Sequence, residues 1–219
     1  MYMPDMKDLH IRVETEKDFR EVEELTREAF WDVYVPGCTE HFLLHRLRRA
    51  AEFIPELSLV AETGGRIAGH IAYTHSYVLH ADGSRTPLLC FGPVSVLPRF
   101  QGKGIGNVLI RASFEKAKEL GHKAVCIMGN PLYYRRFGFR CAERYDLQTA
   151  GGKYAAAMLA LELVPGALAD KEGRVIESDV YALEDEPGFL KFDAAFPLRE
   201  KGYKPSQDVF RVLVSMIYD

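Results

Sequence analysis

Three glycines at alternate positions, Gly102, Gly104 and Gly106, stand between an apolar run ending Val94-Ser95-Val96-Leu97-Pro98 and an apolar helical stripe that starts at Ile105. That order constrains the chain more than any other stretch: a strand, a turn stripped of side chains, then a helix start. Without Cβ atoms the backbone N–H groups of a turn can close around an anion, and the following helix directs its positive end at the same point. The run Gln101-Gly102-Lys103-Gly104-Ile105-Gly106 therefore reads as a phosphate cradle, with a ligand-free strand-to-helix turn as the alternative. Two nucleotide loops are excluded by its neighbours. A Walker A loop needs Ser or Thr after its lysine, and Lys103 precedes Gly104; a dinucleotide fingerprint needs a third glycine where Asn107 stands.

The flanking sequence predicts the setting of this loop. Leu9–Val13 alternates as a half-buried strand, and Thr15 with Asp18 resembles a capping box before a helix through Phe30. Trp31–Gly37 reads as an aromatic loop, followed by a second helix capped by Thr39 and closed before Pro55. Leu57–Glu62, Arg66–His80 and Thr86–Val96, separated by Gly64-Gly65 and Asp82-Gly83, read as three consecutive antiparallel strands, the last feeding the loop. A helix over Ile105–Leu120 and the apolar run Ala124–Met128 then complete a strand–helix–strand crossover, which places Ala124–Met128 parallel to the strand before the loop.

A second motif lies downstream, Gly129-Asn130-Pro131-Leu132-Tyr133-Tyr134-Arg135-Arg136-Phe137-Gly138-Phe139. Pro131 suits the first turn of a short helix and Gly138 its end. Read from its residues alone, Tyr134 is either a site residue or one member of an aromatic core cluster with Tyr133, Phe137 and Phe139. Arg140–Leu147 and Lys153–Leu163, joined by Gly151-Gly152, read as closing antiparallel strands; beyond Val164 come a turn at Pro165-Gly166, a strand within Arg174–Tyr181, a break at Glu186-Pro187-Gly188 and a last helix capped by Ser206.

Together the two motifs carry a resemblance. Gln101-Gly102-Lys103-Gly104-Ile105-Gly106 after Val96-Leu97-Pro98, and the Tyr-x-x-x-Gly-Phe turn on Tyr134, Gly138 and Phe139, are similar to the signatures of the GCN5-related N-acetyltransferases (GNAT) over roughly Leu9–Leu163. The tail is similar to the extension of a bacterial subgroup of predicted acetyltransferases. The resemblance implies the α+β, three-layer acyl-CoA acyltransferase fold, whose mixed, mostly antiparallel sheet is splayed in a V between the strand before the loop and its parallel neighbour. It further implies one acetyltransferase domain over residues 1–164, with a C-terminal extension, 165–219, packed on it.

By the same resemblance, acetyl-CoA is the cosubstrate. The amides of Gln101, Gly102, Lys103, Gly104, Ile105 and Gly106 hold its pyrophosphate, and the backbone of Val94, Ser95 and Val96 holds the pantetheine and faces the thioester oxygen. Lys103 and Arg136 either add charge beside the phosphates or are solvated cations. Asn130 sits four residues before Tyr134, where many members place an asparagine seven before, so it faces the cofactor only by a shifted register. Tyr134 is the acid for the leaving thiolate, since a free phenol near pKa ~10 is close in strength to a thiol. Trp31 and Tyr34 border the acceptor site. Family members often supply a glutamate base from the central strands, but Thr86–Leu97 and Ala124–Met128 hold no carboxylate. His70 and His75 lie on opposite faces of one strand, so at most one faces the cleft, and a water relayed from a backbone carbonyl would serve as well. The base stays unassigned.

Two functions share these residues: transfer of an acetyl group to a primary amine of a small molecule or peptide, and a non-catalytic CoA-binding sensor or interaction module. A third possibility keeps the fold without CoA. A net charge of −3 over 219 residues gives no footprint for nucleic acid. No run approaches the ~20 apolar residues of a membrane span, and Met1–His10 lacks a signal-peptide stretch, so the expectation is a cytoplasmic protein. Cys38, Cys90, Cys126 and Cys141 are too scattered for a metal site, and no metal is expected; Cys90 and Cys126 read as small apolar residues inside strands. A homodimer is left open.

Overall fold

The alternating segments assemble into one sheet in a computed structural model, which describes residues 8–182 and 186–219. Residues 1–7, on which the expected first domain opens and part of the N-terminal reading falls, lie outside the described residues. The strand order is β1 (His10–Val13), β2 (Leu59–Thr63), β3 (Arg66–Leu79), β4 (Arg85–Val96), β5 (Ala124–Met128), β9 (Met158–Glu162), β6 (Arg140–Cys141). β1 through β4 are antiparallel, β4 and β5 parallel, and β5, β9 and β6 antiparallel again. β10 (Gly173–Ile176) extends the sheet beside β3 and lies parallel to β7 (Leu147–Gln148), while β11 (Ile217–Tyr218) pairs with β8 (Tyr154–Ala155). This is the mixed, mostly antiparallel α+β sheet.

Helices cover both faces, and the strand period says which. Ser95 Oγ on β4 meets Thr26 Oγ1 of α1 (Phe19–Phe30) at 3.0 Å, and Ser95 stands opposite His70 in register. Tyr73, an odd number of residues from His70, points the other way and bonds Ser113 Oγ of α3 (Ile105–Glu119) at 2.7 Å. α1 and α2 (Glu40–Leu47) therefore lie on one face and α3 on the other. One apolar core, including Leu44, Ile71, Tyr73, Leu89, Leu109 and Ile127, and a second around Val78, Cys126, Leu147 and Met158 fill the layers.

Between β1, α1 and α2 sits a buried ionic cluster. Arg48 Nη2 reaches Glu14 Oε1 at 2.5 Å and Nη1 reaches Glu23 Oε1 at 2.9 Å, while Ser58 Oγ donates to Glu14 and contacts His70 Nε2 at 3.0 Å. Burial alone would raise Glu14, but His70 and Arg48 outweigh it and hold the carboxyl down to about 2.

Several sequence expectations change. The closing strands are shorter and broken: after β6 a 3-10 turn spans Ala142–Tyr145, and Asp146 adopts φ +52°, which ends the strand before β7. Likewise β8 and β9 are separate pieces with different partners. Glu186-Pro187-Gly188 is no break but the start of α5 (Glu186–Asp193), since proline fits a first helical turn where its missing N–H has no partner anyway. Ser206 does not cap the last helix, α6 (Pro205–Ser215). Lys204 occupies the cap position, and Ser206 Oγ donates instead to Val33 O at 2.8 Å.

Candidate active site

The loop after β4 is shaped by its glycines. Gly102 and Gly104 take φ +73° and +87°, a region that side chains resist, and Gly104 is the residue from which α3 starts, with no side-chain cap on the helix. The N–H groups of Ile105, Gly106 and Asn107 have no intrahelical acceptor in such a first turn, so they face outward as donors. A Cβ at Gly102 would meet nothing within 4 Å, whereas at Gly106 it would meet Val96 at 3.4 Å and the Tyr133 hydroxyl at 3.6 Å. An open, side-chain-free cradle fits an anionic ligand. Gln101 differs from expectation: its N–H closes back on Leu97 O and Pro98 O, and its side chain donates to Val96 O at 2.9 Å, so it braces the loop instead of offering its amide.

Beside the loop, β4 parts from β5. The two are paired at Leu89 and Val125 alone among the described residues, while β3 follows β4 along its length. Gly92 and Pro93 form a bulge opposite Ala72, and the stretch Val94–Val96 continues past it with no strand on its β5 side among the described residues. The result is a V with its apex at Leu89/Val125 and its mouth toward Gly102–Gly106.

α4 (Pro131–Tyr134) closes one side of the V. Asn130 caps it, accepting from Leu132 N at 2.9 Å, and Gly138 ends the following turn at φ +94°. Tyr134 packs against Phe91, Phe137 and Phe139, with centroids 5.9, 6.3 and 5.5 Å away, and a Cβ on Gly129 would lie only 2.6 Å from its ring. Gly129 is thus what lets this ring lie across β5. Burial, then the neighbouring Tyr34 and Tyr133, push the Tyr134 phenol well above its ordinary value. Arg136 is exposed, stacked 4.6 Å from Tyr133, which in turn approaches Gly106; Lys103 Nζ lies 5.5 Å from the Phe100 ring. Both cations border the loop.

Past the end of β5 the tail adds what the sequence did not reveal. A cavity of about 260 Å³ is lined by Met128, Gly129, Asn130 and Ala157, by Tyr34, and by Val209, Phe210, Leu213 and Val214 of α6. α6 is held by the 31–37 loop: Gln207 Nε2 donates to Asp32 O, Lys204 Nζ to Trp31 O, and Asp32 Oδ1 accepts from Gly202 N. Tyr34 stacks on Phe210 at 4.5 Å. Trp31, expected at the acceptor border, is buried with its Nε1–H on Glu200 O, so it anchors the tail. The amphipathic pattern Val209, Phe210, Leu213 was visible in the sequence, but not what it faces. Of the two strand histidines, His70 is spent in the Glu14 cluster and His75 is exposed beside His122.

A glycine cradle, a V-shaped opening beside it and a tyrosine across the V define an acyl-CoA acyltransferase fold. The acetyltransferase (GNAT) domain pattern matches residues 10–142, and the chain belongs to the GNAT family. Over 139 residues it is 29% identical to the uncharacterized N-acetyltransferase YhbS of Escherichia coli K12, covering 63% of this chain and 77% of YhbS. Over 90 residues it is 38% identical to the uncharacterized N-acetyltransferase YjhQ of the same strain, covering 40% of this chain and only 49%, about half, of YjhQ. Among solved structures it is similar to E. coli YhbS in complex with CoA (TM-score 0.72, 25% identity, 84% of this chain and 97% of that one). It is also similar to a GNAT acetyltransferase of Brucella melitensis in complex with acetyl-CoA (TM-score 0.64, 31% identity, 79% and 97%). No helix among the described residues is long and apolar enough to cross a membrane.

Proposed function

We propose that this chain is an acetyl-CoA-dependent N-acetyltransferase, passing an acetyl group to a primary amine that attacks the thioester directly. The observation that carries the reading is the V: β4 and β5 part just beyond Leu89/Val125, and the free first-turn amides of α3 stand at its mouth. The complexes of YhbS with CoA and of the Brucella protein with acetyl-CoA support the same donor. In this reading Gly102–Gly106 hold the pyrophosphate, with Lys103 and Arg136 at its edge. The Val94–Val96 backbone holds the pantetheine, and one of its amides polarises the thioester oxygen; a single such donor is typically worth about 3–4 kcal/mol of barrier.

Tyr134 faces the departing sulfur. The acid–thiol match expected of a free phenol does not carry over, because burial raises this tyrosine. It stays protonated through neutral pH and works by donating a hydrogen bond as charge builds on sulfur, completing the transfer to a thiolate whose own basicity desolvation also raises. The acceptor enters the cavity under α6, so that residues 1–164 carry the donor side and 165–219 close the acceptor side. The cavity lining is mostly apolar, with Asn130, Ser206 and the Tyr34 hydroxyl as its polar groups; it suits an amine with an apolar body over a polycation.

The test is thiol release from acetyl-CoA across a panel of primary amines, small and peptidic, with a thermal-shift titration alongside. Saturation at 100 times the dissociation constant is expected to stabilise by about 2.7 kcal/mol, and apolar amines are expected to turn over fastest. A thermal shift without turnover for any amine would give the non-catalytic CoA-binding reading instead, and a flat melting curve would remove acetyl-CoA altogether.

A further inference from the structure

The central strands carry no carboxylate, yet the fold brings one to them from the tail. Glu177 follows β10, and its Oε1 accepts from the Cys90 thiol of β4 at 3.5 Å. The same carboxylate bears on Cys126 of β5, whose thiol it helps push up after burial itself, and on the Tyr181 phenol. Cys90 and Cys126 are the residues directly after the paired Leu89 and Val125. A carboxylate hydrogen-bonded to Cys90 stands beside the apex of the V.

Its face is the acceptor's face. Cys126 and Met128 alternate on the same side of β5, and Met128 lines the α6 cavity. Two residues of strand, roughly 7 Å, separate them along β5, so an amine beside Met128 would pass its proton to Glu177 through water and not by direct contact. Tyr134 packs on Phe91, the residue after Cys90, so the phenol ring and the carboxylate lie against adjacent residues on opposite faces of β4.

Glu177 has no ion-pair partner among the described residues: the groups facing it are Cys90 from β4, Cys126 from β5 and Tyr181 from its own segment, none of them a cation. Its neighbour Ser178 Oγ donates to Glu52 Oε2 at 3.0 Å, which fixes the segment without neutralising the charge. A carboxylate held against thiols and a phenol costs stability that an apolar residue would not, and burial raises its pKa.

We infer that Glu177, delivered to the V by the C-terminal segment, is the general base of the transfer. The inference rests on the acetyltransferase reading above. Glu177 takes one proton from the acceptor ammonium, and the freed lone pair forms the C–N bond to the thioester carbon. The C–S electron pair then leaves with sulfur, and of the two protons shed by nitrogen one ends on the thiol and one in solvent.

The test is Glu177→Gln, an isostere, in the full chain, following thiol release with the best amine of the panel from pH 6 to 10. The expected result is a rate about 100-fold lower at pH 7, narrowing as pH rises and free amine replaces the ammonium, with an unchanged acetyl-CoA thermal shift. Melting below the wild-type is not expected, because the variant removes a buried charge. If Glu177→Gln loses the acetyl-CoA shift, Glu177→Asp carries the test, with a partial loss that keeps the wild-type pH profile expected and wild-type rates overturning the inference. Equal rates in Glu177→Gln, or a deficit constant across pH, would overturn the base while leaving the acetyltransferase reading intact. No release by the wild-type with any amine would overturn both.

Discussion

In the proposed reading, the donor side and the acceptor side of this molecule are built in opposite ways. The donor side is almost one continuous piece of chain, from Val94 through the first turn of α3, with Tyr134 joining from a motif nearby in sequence. The acceptor side draws on Tyr34, Met128–Asn130, Ala157 and α6, held together by hydrogen bonds between the 31–37 loop and residues 202–207. A phosphate cradle needs backbone amides in a fixed turn, which a short local sequence can specify. A chamber that chooses an acceptor needs surfaces from several elements, so its specificity varies with loops and tail while the cradle stays put.

Both sides share one scaffold, and its loss should erase the contrast. Arg48→Met strands Glu14 and Glu23 in the interior, and removing one partner of a buried pair typically costs about 3–5 kcal/mol. Calorimetric melting should show a loss on that scale, with donor and acceptor binding failing together. The same cluster sets an acid limit. Glu14 is held at about 2 against 4.5 for a free carboxyl, so the unfolded chain takes up the proton first. Its contribution is complete above pH 4.5 and is lost as pH falls toward 2, which melting curves between pH 7 and 3 would reveal.

Next in size is Tyr134→Phe, which keeps the ring among Phe91, Phe137 and Phe139 but removes the donor to sulfur. Turnover should fall about 100-fold with acetyl-CoA affinity nearly unchanged; unaltered turnover would return Tyr134 to the aromatic core. A smaller effect, confined to the donor side, is expected of Gly104→Val. A branched side chain at φ +87° costs about 1–2 kcal/mol, so acetyl-CoA should bind roughly tenfold or more weakly, while the acceptor KM holds. The smallest belongs to the acceptor side: Phe210→Ala removes the stack on Tyr34, a contact worth about 0.5–1.5 kcal/mol, and should raise the acceptor KM several-fold.

The same contrast explains what could be read in advance. The three glycines, the strand before them and the Tyr134–Gly138 turn announced the fold and the donor loop, because each is a local conformational demand written in adjacent residues. For Gln101 the place in the motif is plain from sequence, but not that its amide closes a turn on Leu97. Glu186–Gly188 looked like a stop because proline and glycine punctuate most chains, yet a proline at a helix start only pre-sets the backbone. The apolar pattern of α6 was visible and its partner was not. Glu177 carried no signal whatever, since one glutamate after a short strand is ordinary until the fold sets it against Cys90.

The most direct measurement is two-substrate initial-rate kinetics on Phe210→Ala, varying acetyl-CoA and the amine independently. The division into a sequence-local donor side and a tail-built acceptor side predicts that the amine KM rises several-fold while the acetyl-CoA KM stays at the wild-type value. A rise in the acetyl-CoA KM with the amine KM unchanged would contradict it.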